Sequence, residues 1–376
     1  MRTSAVGIVF SNLNNNTLSK LTSDRTVAAI PFGCRYRLID FCLSNLVNAN
    51  VTHINIIANY NYRSLLEHIG SGKDWDLARR VGGINVISPY QTSRTPNAKL
   101  YSHHMEALKN MKEYISEFKE DTVILMDSDS VLNINLAEVI AAHEKSAADI
   151  TFVTKAVAPD YTAKHSQLMV SSVAGKIADM ALSDGYSERT PDLSLNIFVM
   201  KTDYLRKLIS DAEAAGIESL TEMMLRNYKY ANYRTYAFGG YVASVSSFLD
   251  YFRCTIDLAK NSKAREELLW KKDAPIFTKV HNSIPTVYHP GAEVADSMIA
   301  DDCEIEGTVI NSVLFRGVKV ARGAVVSNCV LFRGTLVGEG AKLNCIVADK
   351  DVQITDGVTL SGHENMPFYI QKNRKV

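Results

Sequence analysis

The sequence has no excess of charge of either sign and no long apolar run. Its 41 basic residues are balanced by 41 acidic residues, so the net charge gives no indication of a nucleic-acid or membrane-surface partner. The apolar stretch from Val6 to Phe10 is too short to cross a bilayer, and no cleavage pattern of a signal peptide follows it. We therefore interpret this stretch as a core strand and expect no membrane partner.

Paired cysteine motifs are also missing. The six cysteines are scattered, and none forms a Cys-x-x-Cys pair. This pattern indicates neither a structural metal site nor a disulfide framework. We expect reduced, buried thiols and a cytoplasmic location; the six residues are Cys34, Cys42, Cys254, Cys303, Cys329 and Cys345.

Residues 1–245 alternate strand and helix signals. Short apolar runs typical of buried strands are separated by segments with helical spacing, such as Leu38, Phe41, Cys42 and Leu46. This alternation predicts an α/β domain with a mostly parallel sheet, covered on both faces, and ligands at the carboxyl ends of the strands. Residues 246–289 are predicted to be a helical linker. The predicted strands are Val6 to Phe10, Ile54 to Ala58, Val123 to Met126 and Ile150 to Thr154.

From about Pro290 onward, β-branched residues recur about every six positions. A longer repeat is superimposed, because the heptapeptide NSVLFRG at 311–317 returns as NCVLFRG at 328–334, a shift of seventeen residues. Three hexads per turn are typical of a triangular parallel β-helix, in which each coil buries its apolar corner only by stacking on the next. The alternative, antiparallel hairpins with chance spacing, does not explain the near-verbatim repeat. We predict a β-helix domain at 290–376.

The loop after the first strand, from Ser11 to Leu18, contains no glycine and no arginine. The segment that follows, PFGCRYRLIDF from Pro31 to Phe41, resembles the signature of sugar-nucleotide pyrophosphorylases, above all ADP-glucose pyrophosphorylase. In that family the loop is glycine-rich and carries an arginine, because backbone N–H groups must close on a triphosphate. The scaffold signature is therefore present without the phosphate-binding loop.

The resemblance to the ADP-glucose pyrophosphorylase family covers essentially the whole chain. Besides Pro31–Phe41, it rests on Leu43-Ser44-Asn45, on the segment Asp273 to His281 and on the β-helix repeats. It implies a Rossmann-like nucleotidyltransferase domain followed by a left-handed parallel β-helix. The family joins glucose 1-phosphate to ATP and releases pyrophosphate, with magnesium held by carboxylates. The implied substrate-binding residues of a remnant cleft are Pro31, Phe32, Gly33, Arg35 and Arg37.

Two of the family's phosphate and nucleotide contacts are replaced in this sequence. Val27 stands where the family has a lysine, and Arg25 is the nearest candidate substitute. The family's Gly-Thr-Ala-Asp-Ala motif matches Ser102-His103-His104-Met105-Glu106, which shares almost nothing with it. The adjacent histidines suggest metal ligands, but neighbouring residues on a helix point in different directions and no third ligand is apparent.

The positions for metal and sugar phosphate are also altered. Asp129 matches the family's first metal aspartate and is the one remnant catalytic candidate; the alternative is a residue that caps a strand-end loop. Tyr241 stands in place of the second metal aspartate, and Ser183 replaces the lysine that contacts the sugar phosphate. A single carboxylate rarely holds magnesium against water. We therefore expect no intact catalytic residue, no metal site and no firmly bound cofactor.

Loss of chemistry with retention of packing motifs resembles the non-catalytic, regulatory GlgD-type subunits of Firmicutes within this family. That resemblance implies a catalytic subunit as partner in a hetero-oligomer, a tetramer, with magnesium serving the partner's reaction and sugar phosphates or nucleotides as effectors. Two alternatives remain open. Asp129, Arg35 and Arg37 allow an active transferase with an altered loop. Hexapeptide β-helices also occur in acyltransferases, although His363 is the only histidine after residue 300.

Overall fold

The structure is a computed structural model that describes residues 4–11, 16–88, 101–157, 167–183 and 192–376. Its first part contains thirteen strands among these residues. They are β1 (Ala5–Phe10), β2 (Pro31–Phe32), β3 (Tyr36–Arg37), β4 (His53–Ile57), β5 (Gly83–Ile87), β6 (Thr122–Asp127), β7 (Ser130–Leu132), β8 (Ile150–Lys155), β9 (Leu168–Val173), β10 (Lys176–Leu182), β11 (Asp192–Lys201), β12 (Tyr233–Ala237) and β13 (Val242–Ser244).

Helices connect these strands and continue beyond them. In the described part of the chain they are α1 (Ser19–Thr22), α2 (Leu38–Asn48), α3 (Arg63–Ile69), α4 (His104–Asn110), α5 (Lys112–Ser116), α6 (Leu136–Lys145), α7 (Thr202–Ala215), α8 (Leu220–Asn227), α9 (Phe248–Lys260) and α10 (Ser262–Leu269). Short 3-10 helices lie at Asn16–Leu18, Val27–Ala29 and Lys73–Trp75. No helix among the described residues is long and apolar enough to cross a membrane.

The central sheet of the described residues has nine strands in the order β5-β4-β1-β6-β11-β8-β12-β10-β9. Strands β11 and β10 run antiparallel to their neighbours, and the other seven share one direction. The predicted mostly parallel sheet is confirmed, and the four predicted core strands correspond to β1, β4, β6 and β8. Their apolar runs are buried because helices cover both faces of such a sheet.

The C-terminal part is a left-handed parallel β-helix, as predicted. Three five-stranded parallel sheets form its faces, in the orders β14-β17-β20-β23-β26, β15-β18-β21-β24-β27 and β16-β19-β22-β25-β28. The strands are β14 (Val287–Tyr288), β15 (Glu293–Ala295), β16 (Met298–Ile299), β17 (Glu304–Ile305), β18 (Thr308–Ile310), β19 (Val313–Leu314), β20 (Lys319–Val320), β21 (Val325–Ser327), β22 (Val330–Leu331), β23 (Leu336–Val337), β24 (Lys342–Asn344), β25 (Ile346–Ala348), β26 (Gln353–Ile354), β27 (Thr359–Ser361) and β28 (Phe368–Ile370).

The seventeen-residue repeat corresponds to one coil of the β-helix. Val313 pairs with Val330, which pairs with Val347 one coil later. Both copies of the heptapeptide begin at a left-handed asparagine and end at a left-handed glycine: Asn311 and Asn328 have φ of 48° and 51°, and Gly317 and Gly334 have φ of 69° and 74°. Asparagine and glycine tolerate this backbone, so the corners explain which residues repeat.

A shared apolar core joins the sheet domain, helix α9 and the β-helix. The ring of Tyr251 on α9 lies edge-on to Phe332, with ring centroids 6.3 Å apart, and Phe332 lies edge-on to Phe315 at 5.2 Å. The Tyr251 hydroxyl donates a hydrogen bond of 2.8 Å to the carbonyl of Pro31. The six cysteines, all within the described ranges, form no disulfide, and five of them are buried while Cys254 is half-buried.

Candidate functional site

The candidate site lies where parallel strands β1 and β6 end. Phe10, the last residue of β1, pairs with Asp127, the last residue of β6. The Ser128 backbone N–H donates to the Phe10 carbonyl at 3.2 Å, which joins the two strand ends. Proteins with α/β folds bind ligands at the carboxyl ends of parallel strands, so this edge of the sheet is the candidate binding site.

The predicted triphosphate loop is described only at its edges, because Asn12 to Asn15 lie outside the described residues. The Ser11 hydroxyl donates a hydrogen bond of 2.8 Å to the Ile57 carbonyl. Leu18, at the other edge, is buried in the apolar core. Both edges are therefore engaged in the fold itself.

The five predicted substrate-binding residues form a hairpin of β2 and β3 around Gly33, whose φ of 56° suits glycine. Pro31, Phe32 and Gly33 are buried. The Arg37 guanidinium donates to the Ser64 carbonyl at 2.6 Å and to the Ser64 hydroxyl at 3.0 Å. Burial lowers its pKa to about 10, despite the opposing charge of Asp40.

Arg35 differs from the other four hairpin residues, because it is exposed and lies over the Tyr36 ring with the guanidinium 5.8 Å from the ring centroid. A substrate role for the hairpin stays a prediction, and Arg35 is the member whose charge is most open to solvent.

Val27 and Arg25 are both buried, and neither lies open to a phosphate. Val27 begins the 3-10 helix Val27–Ala29 and packs in the shared apolar core. One guanidinium nitrogen of Arg25 donates to both carboxylate oxygens of Asp349 in the β-helix, at 2.7 and 2.9 Å, and each of the two side chains is 1% exposed. The Tyr369 hydroxyl donates to the same carboxylate at 2.6 Å. Burial lowers the pKa of Arg25, but the charge of Asp349 outweighs it. Arg25 therefore connects the two domains through Asp349. As a candidate substitute for the family's phosphate-binding lysine, it is not open to a phosphate.

Asp129 follows β6, and its Oδ1 atom is buried without a hydrogen-bond partner among the described residues. Burial raises the pKa of Asp129, and the charge of Asp127 raises it further. The Asp129 carbonyl accepts a hydrogen bond of 2.8 Å from the Val245 N–H, which fixes the turn. A carboxylate is thus present, in a confined and acidic environment, at the position predicted to match the family's first metal aspartate.

His104, the first residue of α4, contacts this environment directly. Its Nε2 lies 2.7 Å from Oδ1 of Asp127, and its ring packs edge-on to Phe10 with centroids 4.6 Å apart. Burial lowers the pKa of His104, but the charge of Asp127 and the hydrogen bond to it raise it above the usual value. We call Phe10, His104, Asp127 and Asp129 the strand-end cluster.

The sequence indicated two adjacent histidines but not the His104–Asp127 pair. His103 is exposed, whereas His104 is turned into the strand-end cluster. The partners are 23 residues apart, on different elements, so no local spacing signals the contact. The position of Asp127 at a strand end, beside a helix that begins with histidine, was the one available clue.

Tyr241 and Ser183, predicted to stand at the family's second metal position and its sugar-phosphate position, are bonded within the fold. The Tyr241 hydroxyl donates to Asp257 on α9 at 3.2 Å, and its backbone N–H donates to Glu267 on α10 at 2.9 Å. Burial and nearby acidic groups raise the pKa of Tyr241, so the phenol stays neutral. The Ser183 hydroxyl accepts a hydrogen bond of 3.0 Å from the Gln167 N–H.

These residues do not fit a magnesium site of the family's type. Magnesium prefers several oxygen ligands in octahedral geometry, and carboxylates from two positions normally anchor it. Here Tyr241 stands at the position predicted for one of those carboxylates and is bonded to Asp257. In the described part of the chain, no group of three histidine, cysteine, aspartate or glutamate side chains is arranged to hold a metal ion.

Comparisons with known proteins support both parts of the fold. The family described as nucleotidyl transferase matches residues 15–165, and the family described as GlmU-like, C-terminal hexapeptide, matches residues 286–366. The glycogen biosynthesis protein GlgD of Bacillus subtilis (strain 168) is 32% identical over 372 residues, which cover 98% of this chain and 95% of the relative.

Glucose-1-phosphate adenylyltransferases are more distant relatives. That of Thermotoga maritima is 28% identical over 328 residues, covering 85% of this chain and 76% of the relative. That of Geobacillus stearothermophilus is 28% identical over 333 residues, covering 87% and 84%. The likeness to GlgD over nearly the full length of both chains, together with the two matched domains, shows that the chain belongs to the GlgD-type glycogen biosynthesis proteins of the ADP-glucose pyrophosphorylase (glucose-1-phosphate adenylyltransferase) family.

Proposed function

We propose that this chain is a catalytically degenerate, regulatory subunit of ADP-glucose pyrophosphorylase. It acts in the cytoplasm, in glycogen biosynthesis, by binding a catalytic subunit in a heterotetramer and modulating its synthesis of ADP-glucose from ATP and glucose 1-phosphate. Magnesium serves the catalytic partner, and this chain binds no cofactor firmly.

The bonding of Tyr241 is the observation that carries this proposal. A phenol stands where the second metal carboxylate is expected, and Asp257 and Glu267 hold it through its hydroxyl and its backbone. Catalysis of adenylyl transfer requires metal ions that neutralise developing charge on the phosphates. Tyr241→Asp would remove the hydroxyl bond to Asp257 and place a second carboxylate beside it, so this position is unfavourable for a metal-binding aspartate.

Retention of the family's packing motifs supports a role that depends on fold and surface. The Asn45 side-chain amide donates to the Leu132 carbonyl at 2.9 Å, and its oxygen accepts from the Ile134 N–H at 3.1 Å. The Ser44 hydroxyl accepts from the Phe277 N–H at 2.9 Å. Two of the segments that carry the family resemblance therefore contact each other, which supports a packing role for both.

A basic region at the domain junction is the proposed site of effector action. Lys350 lies beside the Arg25–Asp349 pair, and burial, with the charges of Arg37 and Arg25, lowers its pKa to about 8. Because Asp349 matches the charge of Arg25 and Arg37 is bonded to Ser64, the half-buried Lys350 is the proposed contact for an anionic effector, such as a sugar phosphate or a nucleotide. Binding there would act on the junction between the two domains.

Activity assays with and without a catalytic homologue test the proposal. Purified alone, with ATP, glucose 1-phosphate and magnesium, the chain should turn over far below the enzyme median of about 10 per second. Mixed with the homologue, it should co-elute in size-exclusion chromatography and change the rate or effector response by about 5–150-fold. Turnover near the median by the isolated chain would favour the active-transferase alternative. Absence of both complex and kinetic change would contradict the regulatory role.

A further inference from the structure

We infer that the His104 side chain takes the place of a divalent cation in the strand-end cluster and closes this cleft to magnesium. The inference deepens the proposed loss of catalysis and rests on it, because it names the residue that prevents metal binding at the remaining carboxylates. The bond between His104 and Asp127 would then be one structural reason why the described residues do not fit a magnesium site.

The first step is that the Asp127 carboxylate already has a hydrogen-bond partner. Its Oδ1 atom accepts a hydrogen bond of 2.7 Å from Nε2 of His104. The Asp127 side chain is 7% exposed and the His104 side chain 24% exposed, so water offers little competition for this contact. An oxygen that already accepts a short N–H bond in a confined site has no room for a cation at the 2.0–2.1 Å that magnesium requires.

The second step is the position of the imidazole, which the fold determines on two sides. The ring packs edge-on to Phe10 at a centroid distance of 4.6 Å and an interplanar angle of 75°. The backbone of His104 begins α4, whose Met105, Ala107 and Leu108 are buried in the core. The ring is therefore held over the strand ends and cannot turn away without loss of packing.

The third step is the effect on Asp129. Its carboxylate interacts electrostatically with both Asp127 and His104, and its buried Oδ1 has no hydrogen-bond partner among the described residues. Two neighbouring carboxylates disfavour each other unless a donor or a cation lies between them. His104 is the donor to Asp127. Removal of its side chain would leave the carboxylates of Asp127 and Asp129 without that donor, and a divalent cation bound between them would then relieve their repulsion.

The experiment compares cation binding by wild-type protein, His104→Ala and His104→Ser, using Mn²⁺ alone as the probe. Binding is followed by electron paramagnetic resonance of free Mn²⁺ and by the melting temperature with Mn²⁺ or with EDTA. We expect no effect of Mn²⁺ on wild-type protein. Both variants should bind Mn²⁺ at least about tenfold more tightly than wild type, with a rise in melting temperature of about 2 °C or more.

Three controls define the cause. His103→Ala removes the adjacent exposed histidine and should behave as wild type. His104→Gln keeps an N–H donor and should still exclude Mn²⁺. Asp129→Asn in the His104→Ala background removes a carboxylate and should abolish the gained binding.

Two results would overturn the inference. Wild-type protein that binds Mn²⁺ and loses it in His104→Ala would make His104 a ligand. Folded His104→Ala and His104→Ser proteins with no gain of Mn²⁺ binding would mean that His104 does not exclude the ion. Either result can occur while the chain still activates a catalytic homologue, so this inference and the regulatory proposal can fail separately.

Discussion

The β-helix repeats its residue pattern from coil to coil, whereas the positions predicted to hold the family's phosphate, metal and sugar contacts carry residues that share no common pattern. In the β-helix, Val313, Val330 and Val347 stack in one column. Each of these buried side chains fills the same position in the apolar core of its coil. At the predicted contact positions, His104 bonds to the end of β6, Tyr241 to α9 and Ser183 to Gln167, so each bonds to a different part of the fold.

The difference follows from what holds each region in place. A solenoid coil is stable only if its neighbours present matching apolar corners, so a change at one coil is felt by the next. Polar side chains at the strand ends are not tied to a repeating pattern, and most buried polar groups need only a hydrogen-bond partner. His104, Tyr241 and Ser183 accordingly each have a different partner within the fold.

Restoring the chemistry should need several simultaneous changes, and this is the largest expected effect. Rebuilding the loop from Ser11 to Leu18 with the family's glycines and arginine, together with Tyr241→Asp and Ser183→Lys, should raise ADP-glucose synthesis at least about 1000-fold over the unaltered chain. Each phosphate-stabilising group is worth about 100-fold or more, and groups that act as a unit are ineffective singly. A coupled assay of pyrophosphate release measures the rate.

The single variants Tyr241→Asp and Ser183→Lys serve as controls for the rebuilt cleft and should each stay within about tenfold of the unaltered chain. Near-normal turnover from either one alone would mean that the cleft is far less altered than the bonding of Tyr241 indicates.

Deleting residues 364–376 should remove the soluble, assembled protein. Strand β28 pairs in register with β25, and Val376 exchanges hydrogen bonds with Gln353 and Thr355. Without this segment the last coil exposes unpaired strand edges, which promote aggregation. Soluble yield and light scattering measure the effect.

The matched change for the deletion is Met366→Ser, which alters an exposed side chain, 76% accessible, and leaves the segment in place. It should leave the protein soluble. A truncated protein with unchanged solubility and oligomeric state would exclude the capping role of the C-terminal segment.

Replacing Arg25 by methionine should destabilise the protein by about 3–5 kcal/mol, because Asp349 would remain buried without its counter-charge. This change tests whether the sheet domain and the β-helix depend on their shared ion pair. Urea unfolding, monitored by circular dichroism, gives the free energy. The double variant Arg25→Met/Asp349→Leu should recover much of the loss, since no buried charge is then left unpaired.

The exposed pair of Arg63 and Glu67, with side chains 92% and 62% accessible, provides the comparison for Arg25. Arg63→Ala should change stability by less than about 0.5 kcal/mol. Equal effects at Arg25 and Arg63 would show that the junction does not depend on the buried pair.

Acid should weaken the sheet domain through His143, with the smallest of these effects. Burial, together with Lys201, lowers the pKa of His143 from 6.5 to about 4. Between these two pH values the unfolded chain binds a proton that the folded chain excludes, so stability falls as the pH falls. The loss between pH 7 and pH 4.5 should be smaller in His143→Gln by about 1–3 kcal/mol.

For the acid effect, His289→Gln in the β-helix is the control, because His289 is exposed and should leave the pH profile unchanged. Thermal unfolding measured across this pH range distinguishes the two. Identical profiles for wild type and His143→Gln would assign the acid sensitivity to another group.

Sequence reasoning predicted the repeats of the β-helix and the core strands because these depend on short-range patterns. Val6–Phe10 and Val123–Met126 are apolar runs that become β1 and β6. It also predicted that Asp129 matches a family position and that Tyr241 and Ser183 are altered ones, but not what these residues bond to. The contact of Arg25 with Asp349 spans 324 residues, and no local pattern of the chain contains it.

The sequence by itself determined the two-part architecture, because hydrophobic periodicity and the left-handed corner residues specify a strand, a helix or a coil locally. It also determined that a phosphate loop of the family's composition is missing between Ser11 and Leu18. Only the tertiary structure decided which distant side chains contact one another at the candidate site and at the domain junction. His104 reaches Asp127, and Arg25 reaches Asp349, because the sheet and the shared core bring distant segments together and buried charges must then find partners.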